Sequence, residues 1–425
     1  MRFLSSIRNG VAGREQFYAY TIIALVVLTL ASVTILSGDR VRSLDEPNFL
    51  AIAENLALNG VYAHQDGELT AYHAPGLVLL IAPFVKLGAG LMELRLVNNL
   101  LLGASLLLVF HMVRRNAGPL AGLLAVILIP LWPVILYASL TLYPQTLAAF
   151  MLVLTAFLLD RLTVTQSRVT AALAGLSFGF LILTIPIVLL LVPIFVLWVW
   201  FQSHKPMRHL VAFLACAALL VAGWGIRNHN AFGVVILTAT SGGYNLLAGN
   251  SPGARYNTSL DVKFPDYVYT EITGKTEIER DRIFKRAAFR EMANNPARTV
   301  SLYFGKFLHW FDFSNRLMSD TAVEGGASTV NVSTREVILL AAYSLIILPL
   351  VARVALLRKH PFRPIEILGL CLWIGAGLAY AVFFTRVRFR MPFDWLIIAN
   401  NAIFIALIIE NRVERWKPDT ETARD

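Results

Sequence analysis

Eight stretches of about twenty apolar residues, at 18–37, 94–113, 117–137, 139–160, 208–226, 335–357, 364–385 and 391–410, are each long enough to cross the hydrocarbon core of a bilayer. A further apolar stretch, 170–201, is longer than one span needs and is broken by Pro186. Arg168 precedes it, and Lys205 and Arg208 follow it. Two short helices forming a hairpin keep both basic flanks on one side, which a single span does not. With 57% hydrophobic and 15% charged residues, the 425-residue chain is expected to be an all-α polytopic membrane protein of about ten transmembrane helices.

Charge assigns the sides. Arg2, Arg8 and Arg14 precede the first span. Alternate connections then carry Arg114 and Arg115, Arg161 and Arg168, Lys205 and Arg208, and Arg353, Arg358, Lys359 and Arg363; Arg412, Arg415 and Lys417 follow the last span. The intervening short connections, near 138–139 and 184–186, have no Lys or Arg. Basic residues concentrate in cytoplasmic loops, so both termini are expected to be cytoplasmic. The net charge of +10 is this topology signal and implies no nucleic-acid partner. The N-terminal segment is too polar for a signal peptide and no cleavage site follows, so the first span reads as a retained anchor. Cys216 and Cys371 both lie in apolar runs, which leaves no disulfide framework for an exterior domain.

His73–Leu87 is apolar but holds Pro75 and Pro83 and spans about fifteen residues, too few to cross. Counting it as a span would put every later basic cluster outside. It reads as an interfacial or re-entrant piece, and 38–93 as one exterior loop. Three regions follow: an N-terminal transmembrane module (1–226) bearing that loop, an exterior domain (227–334) and a C-terminal transmembrane module (335–425). In the exterior domain, Glu277–Asn295 has a charged helical pattern and Ser301–Phe313 an aromatic one that suits a membrane surface. The triplets at 257–259 and 331–333 would accept glycans only in a eukaryotic lumen.

Three features depart from a plain membrane bundle. Asp45 and Glu46 stand together at the start of a short interfacial helix. Phe49, Ile52, Ala53 and Leu56 form its apolar stripe and Gly60 its stop. Helix capping alone would explain one such carboxylate. Arg386, Arg388 and Arg390 put three guanidinium groups in an exterior turn, against the positive-inside rule. Headgroup snorkelling would explain them, as would a phosphate ligand held by guanidinium forks. Polar groups also gather at the exterior ends of other spans: Arg95, His73, Tyr143, Gln145, Arg227 and Asn228. No His/Cys spacing suggests zinc, and Gly274-Lys275-Thr276 lacks the P-loop glycine, having Tyr269 in its place.

The order of these pieces carries a resemblance. The Asp-Glu pair after span one comes first, then HAPGLVLLIAPFVKLG and LRLVNNLLLGASLLLVFHMVRR. Later come WGIRNHNAFG, GGYNLLAGNSPGA and RVRFRMPFDWLII. Together they resemble bacterial GT-C glycosyltransferases of the protein mannosyltransferase and lipid A aminoarabinose transferase type. The resemblance covers most of the chain and rests on motif order more than on any single motif.

The resemblance implies a GT-C-like bundle with interfacial helices in the first exterior loop and a small exterior domain, in a bacterial inner membrane. It implies transfer of a sugar, with inversion, from a polyprenyl-phosphate carrier to an envelope glycan, lipid or protein acceptor on the exterior face. Asp45 maps on the family's catalytic acid, acting as general base with Glu46 beside it. Arg386, Arg388 and Arg390, helped by Arg95 and Arg227, would hold the lipid phosphate. His73, Tyr143, Gln145, Tyr244 and Asn245 would line the acceptor or sugar pocket. Two departures stand out: Gln145 follows Pro144 where the family often has an acid, and the second interfacial piece opens on His73-Ala74-Pro75. The residues single out no cofactor, and the Asp45–Glu46 pair leaves room for a divalent cation. The rival expectation is a flippase or exporter of lipid-linked glycans. That would require an internal repeat and charges within spans, and neither is evident.

Overall fold

A computed structural model describes residues 13–43, 45–257, 262–313 and 332–414. Arg2, Arg8, Arg415 and Lys417, and parts of the two Asn triplets, lie outside the described residues, as does the side chain of Arg412. Every described element is helical, apart from one antiparallel bridge between Ala63 and Leu69.

α1 (Glu15–Ser37) is the first span, and α2 (Asp45–Asn59) and α3 (Gly76–Lys86) follow it in the first loop. α2 buries Phe49, Ile52 and Ala53, the stripe expected from spacing, and ends at Gly60, whose φ of 69° is left-handed. α3, at 11 residues, is too short to cross. α4 (Leu91–Ala117) returns through the bilayer. α5 (Pro119–Leu131) and α6 (Pro133–Ser139) are bent by 72° and together make one span. The bend sits at Trp132, which is extended because it precedes a proline.

α7 (Pro144–Thr165) is the next span, followed by α8 (Arg168–Thr184) and α9 (Pro186–Gln202), which are shorter apolar helices. Gln166, just before α8, accepts from the backbone N–H of His204, just after α9, at 3.0 Å. The chain therefore leaves on the side where it entered, as the basic flanks of this stretch require. α10 (Pro206–Phe232) runs past the boundary at 226 expected from hydropathy.

α11 (Ser241–Asn250), α12 (Asp266–Ile272), α13 (Glu277–Asn294) and α14 (Pro296–His309) form the region between the modules. α13 opens on a capping box of Thr276 and Glu279. These helices have their own small core around Leu247, Phe264, Val268 and Ala288. α15 (Val332–Ala355), α16 (Pro364–Val382) and α17 (Val387–Glu414) complete the bundle.

Among the described residues, seven helices are long and apolar enough to cross singly, and the bent α5–α6 pair makes eight. The expected ten is reached only by adding the two arms of the α8–α9 hairpin. Close approach in lipid depends on small residues, because tails and side chains are equally apolar. Gly175 and Gly179 of α8 lie directly on the α10 backbone at Phe213 and Ala217; a Cβ at 179 would sit 2.7 Å from the Ala217 carbonyl oxygen. Residues 175–179, GLSFG, also spell the G-x-S-x-G pattern of a nucleophile elbow. Here they are mid-helix, and Ser177 donates to the Met151 carbonyl at 3.1 Å, so the pattern is a packing surface.

Ion pairs define the two ends of the bundle. At one end Arg114 pairs with Glu15 at 3.1 Å and Arg353 with Glu366 at 3.0 Å, and Arg115 donates to Asp160 at 2.8 Å. That end gathers the start of α1, the ends of α4 and α7, and the start of α16. The other end carries the 38–90 loop, the α6–α7 turn, α11 to α14 and the start of α17.

Candidate active site

Asp45 and Arg388 converge on Tyr143 at this second end. The α6–α7 turn leaves Tyr143 extended at the N-cap of α7, so its side chain leans toward the start of α2 rather than along its own helix. Its hydroxyl donates to Oδ2 of Asp45 and accepts from Ser43 Oγ at 2.9 Å and from Arg388 Nη1 at 3.1 Å. One donor and two acceptor positions are thereby all used. The Arg388 guanidinium also lies over the Tyr143 ring, 5.0 Å from its centre. Asp45 and Arg388 are both half-buried. Burial pushes the Tyr143 pKa up, against the pull of Arg388, so the hydroxyl keeps its proton.

Glu46 turns the other way. It is fully buried, and its carboxylate accepts from the backbone N–H groups of Arg42 (2.6 Å), Ser43 (3.3 Å) and Leu142 (2.7 Å) and from Arg95 (2.8 and 3.3 Å). Arg95, also fully buried, reaches on to the carbonyls of Gly38 (3.1 Å) and Arg40 (2.8 Å). This pair staples the first loop to α4. Asp45 and Glu46 thus face different partners and do not form one carboxylate seat. Among the described residues no three His, Cys, Asp or Glu side chains gather to hold a metal ion.

The arginine trio is also divided. The chain is helical from Val387, so Arg388 leaves on a different face from Arg386 and Arg390. Arg390 is buried against Asp394, 3.1 Å away, and donates to the carbonyls of Trp310 and Asp312. Asp394 in turn accepts from the indoles of Trp132 (3.0 Å) and Trp373 (2.9 Å), joining the α5–α6 bend, α16 and α17. Arg386 is buried over the Phe384 ring at 5.3 Å. Sequence reasoning does not single out Asp394; its spacing of four from Arg390 on a helix is the available signal.

Arg227 bonds the 60–73 segment rather than Asp45, Tyr143 or Arg388. It donates to the carbonyls of Tyr62 (2.7 Å) and Thr70 (2.9 Å), and the rings of Tyr62, Trp224 and Phe232 surround it within 5.5 Å. Glu277 of α13 fixes the same loop, accepting from Thr70 Oγ1 (2.7 Å), Ala71 N (3.0 Å) and Thr240 Oγ1 (2.6 Å). Lys306, which sequence reasoning also misses, is buried and bonds backbone carbonyls of Gly249, Val382 and Phe383. Burial takes its pKa down to about 7.

His73 stands beside the cluster, packed 4.7 Å from the Phe49 ring and 5.0 Å from Tyr72. Burial lowers its pKa to about 4, the nearby Asp45 charge opposing, so its ring is neutral at pH 7. Burial, with the charges of Tyr244, Asp45 and Glu277 adding to it, raises Tyr72 to about 12. Tyr244 packs on Phe264 and Phe284, and Asn245 is half-buried next to it on α11. Gln145 is buried as the second residue of α7, and its side-chain oxygen makes no hydrogen bond among the described residues.

No family model matches the chain, and no curated protein matches it by sequence. Solved structures do match in fold. The oligosaccharyltransferase AglB from Archaeoglobus fulgidus, in complex with an inhibitory peptide and a dolichol-phosphate, is 13% identical. It covers 97% of this chain at a TM-score of 0.54. The same enzyme tethered to an acceptor peptide containing the NVT sequon gives 14%, 97% and 0.55. This chain spans about half the length of that protein, 53% and 52% in the two cases. ArnT from Cupriavidus metallidurans, bound to undecaprenyl phosphate, is 12% identical over 90% of this chain and 77% of its own. Its TM-score is 0.45. At such identities the likeness is one of fold: the chain is a polytopic membrane protein, helical throughout its described residues apart from one bridge, with a bundle like that of the AglB oligosaccharyltransferase.

Proposed function

We propose that the chain is a membrane glycosyltransferase that moves a sugar from a polyprenyl-phosphate carrier to an acceptor at the end of the bundle bearing Asp45. The convergence of Asp45 and Arg388 on the Tyr143 hydroxyl carries this reading. It is supported by the fold shared with an oligosaccharyltransferase solved with dolichol-phosphate and with acceptor peptides. The arginine-rich opposite end suits the cytoplasm, which makes the Asp45 end periplasmic and both termini cytoplasmic, in a bacterial inner membrane.

In the proposed reaction the acceptor hydroxyl or amine gives its proton to the Asp45 carboxylate as it bonds to the anomeric carbon. The bond from that carbon to the phosphate oxygen breaks on the opposite side, and its electron pair leaves with the polyprenyl phosphate, inverting the configuration. Arg388, with Arg386 behind it, stabilises the charge growing on the phosphate. Tyr143, protonated at neutral pH, aims the Asp45 carboxylate and spaces it from the guanidinium. The Glu46–Arg95 and Arg390–Asp394 pairs and Arg227 act as positioning groups. They fix the loop, the last helix and the 60–73 segment around the reacting centre. Neutral His73, together with Gln145, Tyr244 and Asn245, would contact the acceptor or sugar.

The test uses the full-length protein reconstituted in vesicles, with radiolabelled polyprenyl-phosphate mannose or glucose supplied on one side and envelope extract as acceptor. Labelled product and free polyprenyl phosphate are expected from the wild type and neither from Asp45→Asn. Carrier crossing the bilayer without product would overturn the reading in favour of a flippase.

A further inference from the structure

The end of the bundle opposite Asp45 holds a cavity of about 390 Å³ lined by His111, Arg114, Arg115, Phe157 and Arg161. Three of these project from α4 at positions 111, 114 and 115. Phe157 and Arg161, four apart, form the facing wall on α7. Arg114 is paired with Glu15, and Arg115 with Asp160, whose other oxygen accepts from Asn116 at 2.9 Å. Arg161 has no ion pair among the described residues. Three guanidinium groups thus share two carboxylates around one hollow, leaving a net positive charge.

Its depth indicates what would balance that charge. Arg115 and Arg114 precede the end of α4 by two and three residues, and Arg161 the end of α7 by four. At 1.5 Å per residue that is about 3–6 Å below the helix ends, within the roughly 5–7 Å thickness of a headgroup layer. Tyr20 of α1 lies beside it, its hydroxyl 3.3 Å from His111 Nε2; Tyr20 and Phe17, one turn earlier, are both exposed on the bundle surface. The positive-inside rule and the aromatic belt account for basic and aromatic residues at this end, but not for a hollow walled by three arginines.

We propose that this cavity binds a phosphate-ester anion, delivered as the headgroup of an anionic phospholipid whose acyl chains descend past Tyr20. Arg161 makes the primary contact as a planar fork, and Arg114 and Arg115 add field from their paired positions. The site is independent of the transfer chemistry at the other end.

Native mass spectrometry of the full-length protein titrated with phosphatidylglycerol or phosphatidylcholine tests it. Preferential retention of phosphatidylglycerol is expected. One arginine near a bilayer surface contributes about 1 kcal/mol, so Arg161→Ala should weaken phosphatidylglycerol binding roughly fivefold. Arg161→Glu should abolish the preference, and Arg161→Lys should keep most of it while controlling for folding. Equal binding of the two lipids by the wild type, or an unchanged preference in Arg161→Glu, would overturn the site. An excess of inorganic phosphate should leave the bound lipid in place; displacement at equal potency would overturn the lipid assignment.

Discussion

Asp45, from the first loop, and Arg388, from the last helix, share one hydroxyl: Tyr143 donates to the carboxylate and accepts from the guanidinium at 3.1 Å. The shared oxygen keeps opposite charges apart while holding both on one line. Bare contact between them would cancel the base and the anion clamp together. Tyr143→Phe removes the bridge but keeps the ring under Arg388. Hydrogen bonds to charged groups are worth about 1.5–3 kcal/mol, so transfer should fall roughly ten- to hundredfold. The melting temperature in detergent should stay close to wild type.

Asp45→Asn keeps shape and removes the basic oxygen. General-base catalysis contributes about 10²–10⁴-fold, and a loss of that order in turnover is expected. Membrane insertion and gel-filtration profile should match the wild type. A variant retaining full turnover would remove Asp45 from the chemistry.

Arg388 and Arg390 should separate cleanly. Arg388→Ala exposes no buried charge, so the protein should fold and lose transfer, with Arg388→Lys recovering part of it. Arg390→Ala strands the buried Asp394 carboxylate, which then has two indoles as its remaining donors. Breaking such a pair costs about 3–5 kcal/mol, so the expected result is poor yield and a lower melting temperature.

The Glu46–Arg95 pair predicts non-additivity. Arg95→Met leaves a buried carboxylate without its cation, and Glu46→Gln leaves a buried guanidinium without its anion; each should cost several kcal/mol. The double variant should lose less than the sum, because with both charges removed neither is left buried without its partner; the single amide oxygen introduced by Glu46→Gln keeps one of the two backbone bonds, from Arg42 N–H or from Leu142 N–H. Additive losses would mean that the two groups act separately.

Sequence alone revealed more of the bundle than of the site. Apolar runs and alternating arginines are long-range, repetitive signals, so the spans, the α8–α9 hairpin and the short α3 could be read from them. A side chain's direction carries no such redundancy. Asp45 and Glu46 are neighbours in sequence and look equivalent, but about 100° of helical turn aims one at Tyr143 and the other at Arg95. Arg386, Arg388 and Arg390 separate for the same reason. Asp394 escapes notice because an acid in an apolar helix gives no signal of its partner until Trp132 and Trp373 fold beside it.

His73 gives a prediction in pH. In the unfolded chain its imidazole takes a proton below about 6.5, whereas in the folded protein burial delays this to about 4. Between those values the unfolded state holds more protons, so this histidine's contribution to stability rises with pH through the window. That contribution is fully present above about pH 6.5 and is lost as pH falls toward 4. The loss reaches up to about 3 kcal/mol, at 1.36 kcal/mol per pH unit of separation. His73→Gln keeps a polar side chain and removes the titration. Melting temperatures measured from pH 7 to pH 4 should therefore fall less steeply for the variant, the difference between the two curves opening below pH 6.5. Parallel curves would mean that the ring takes up its proton in the folded state as readily as in the unfolded one, and that burial is not what holds it neutral beside Asp45.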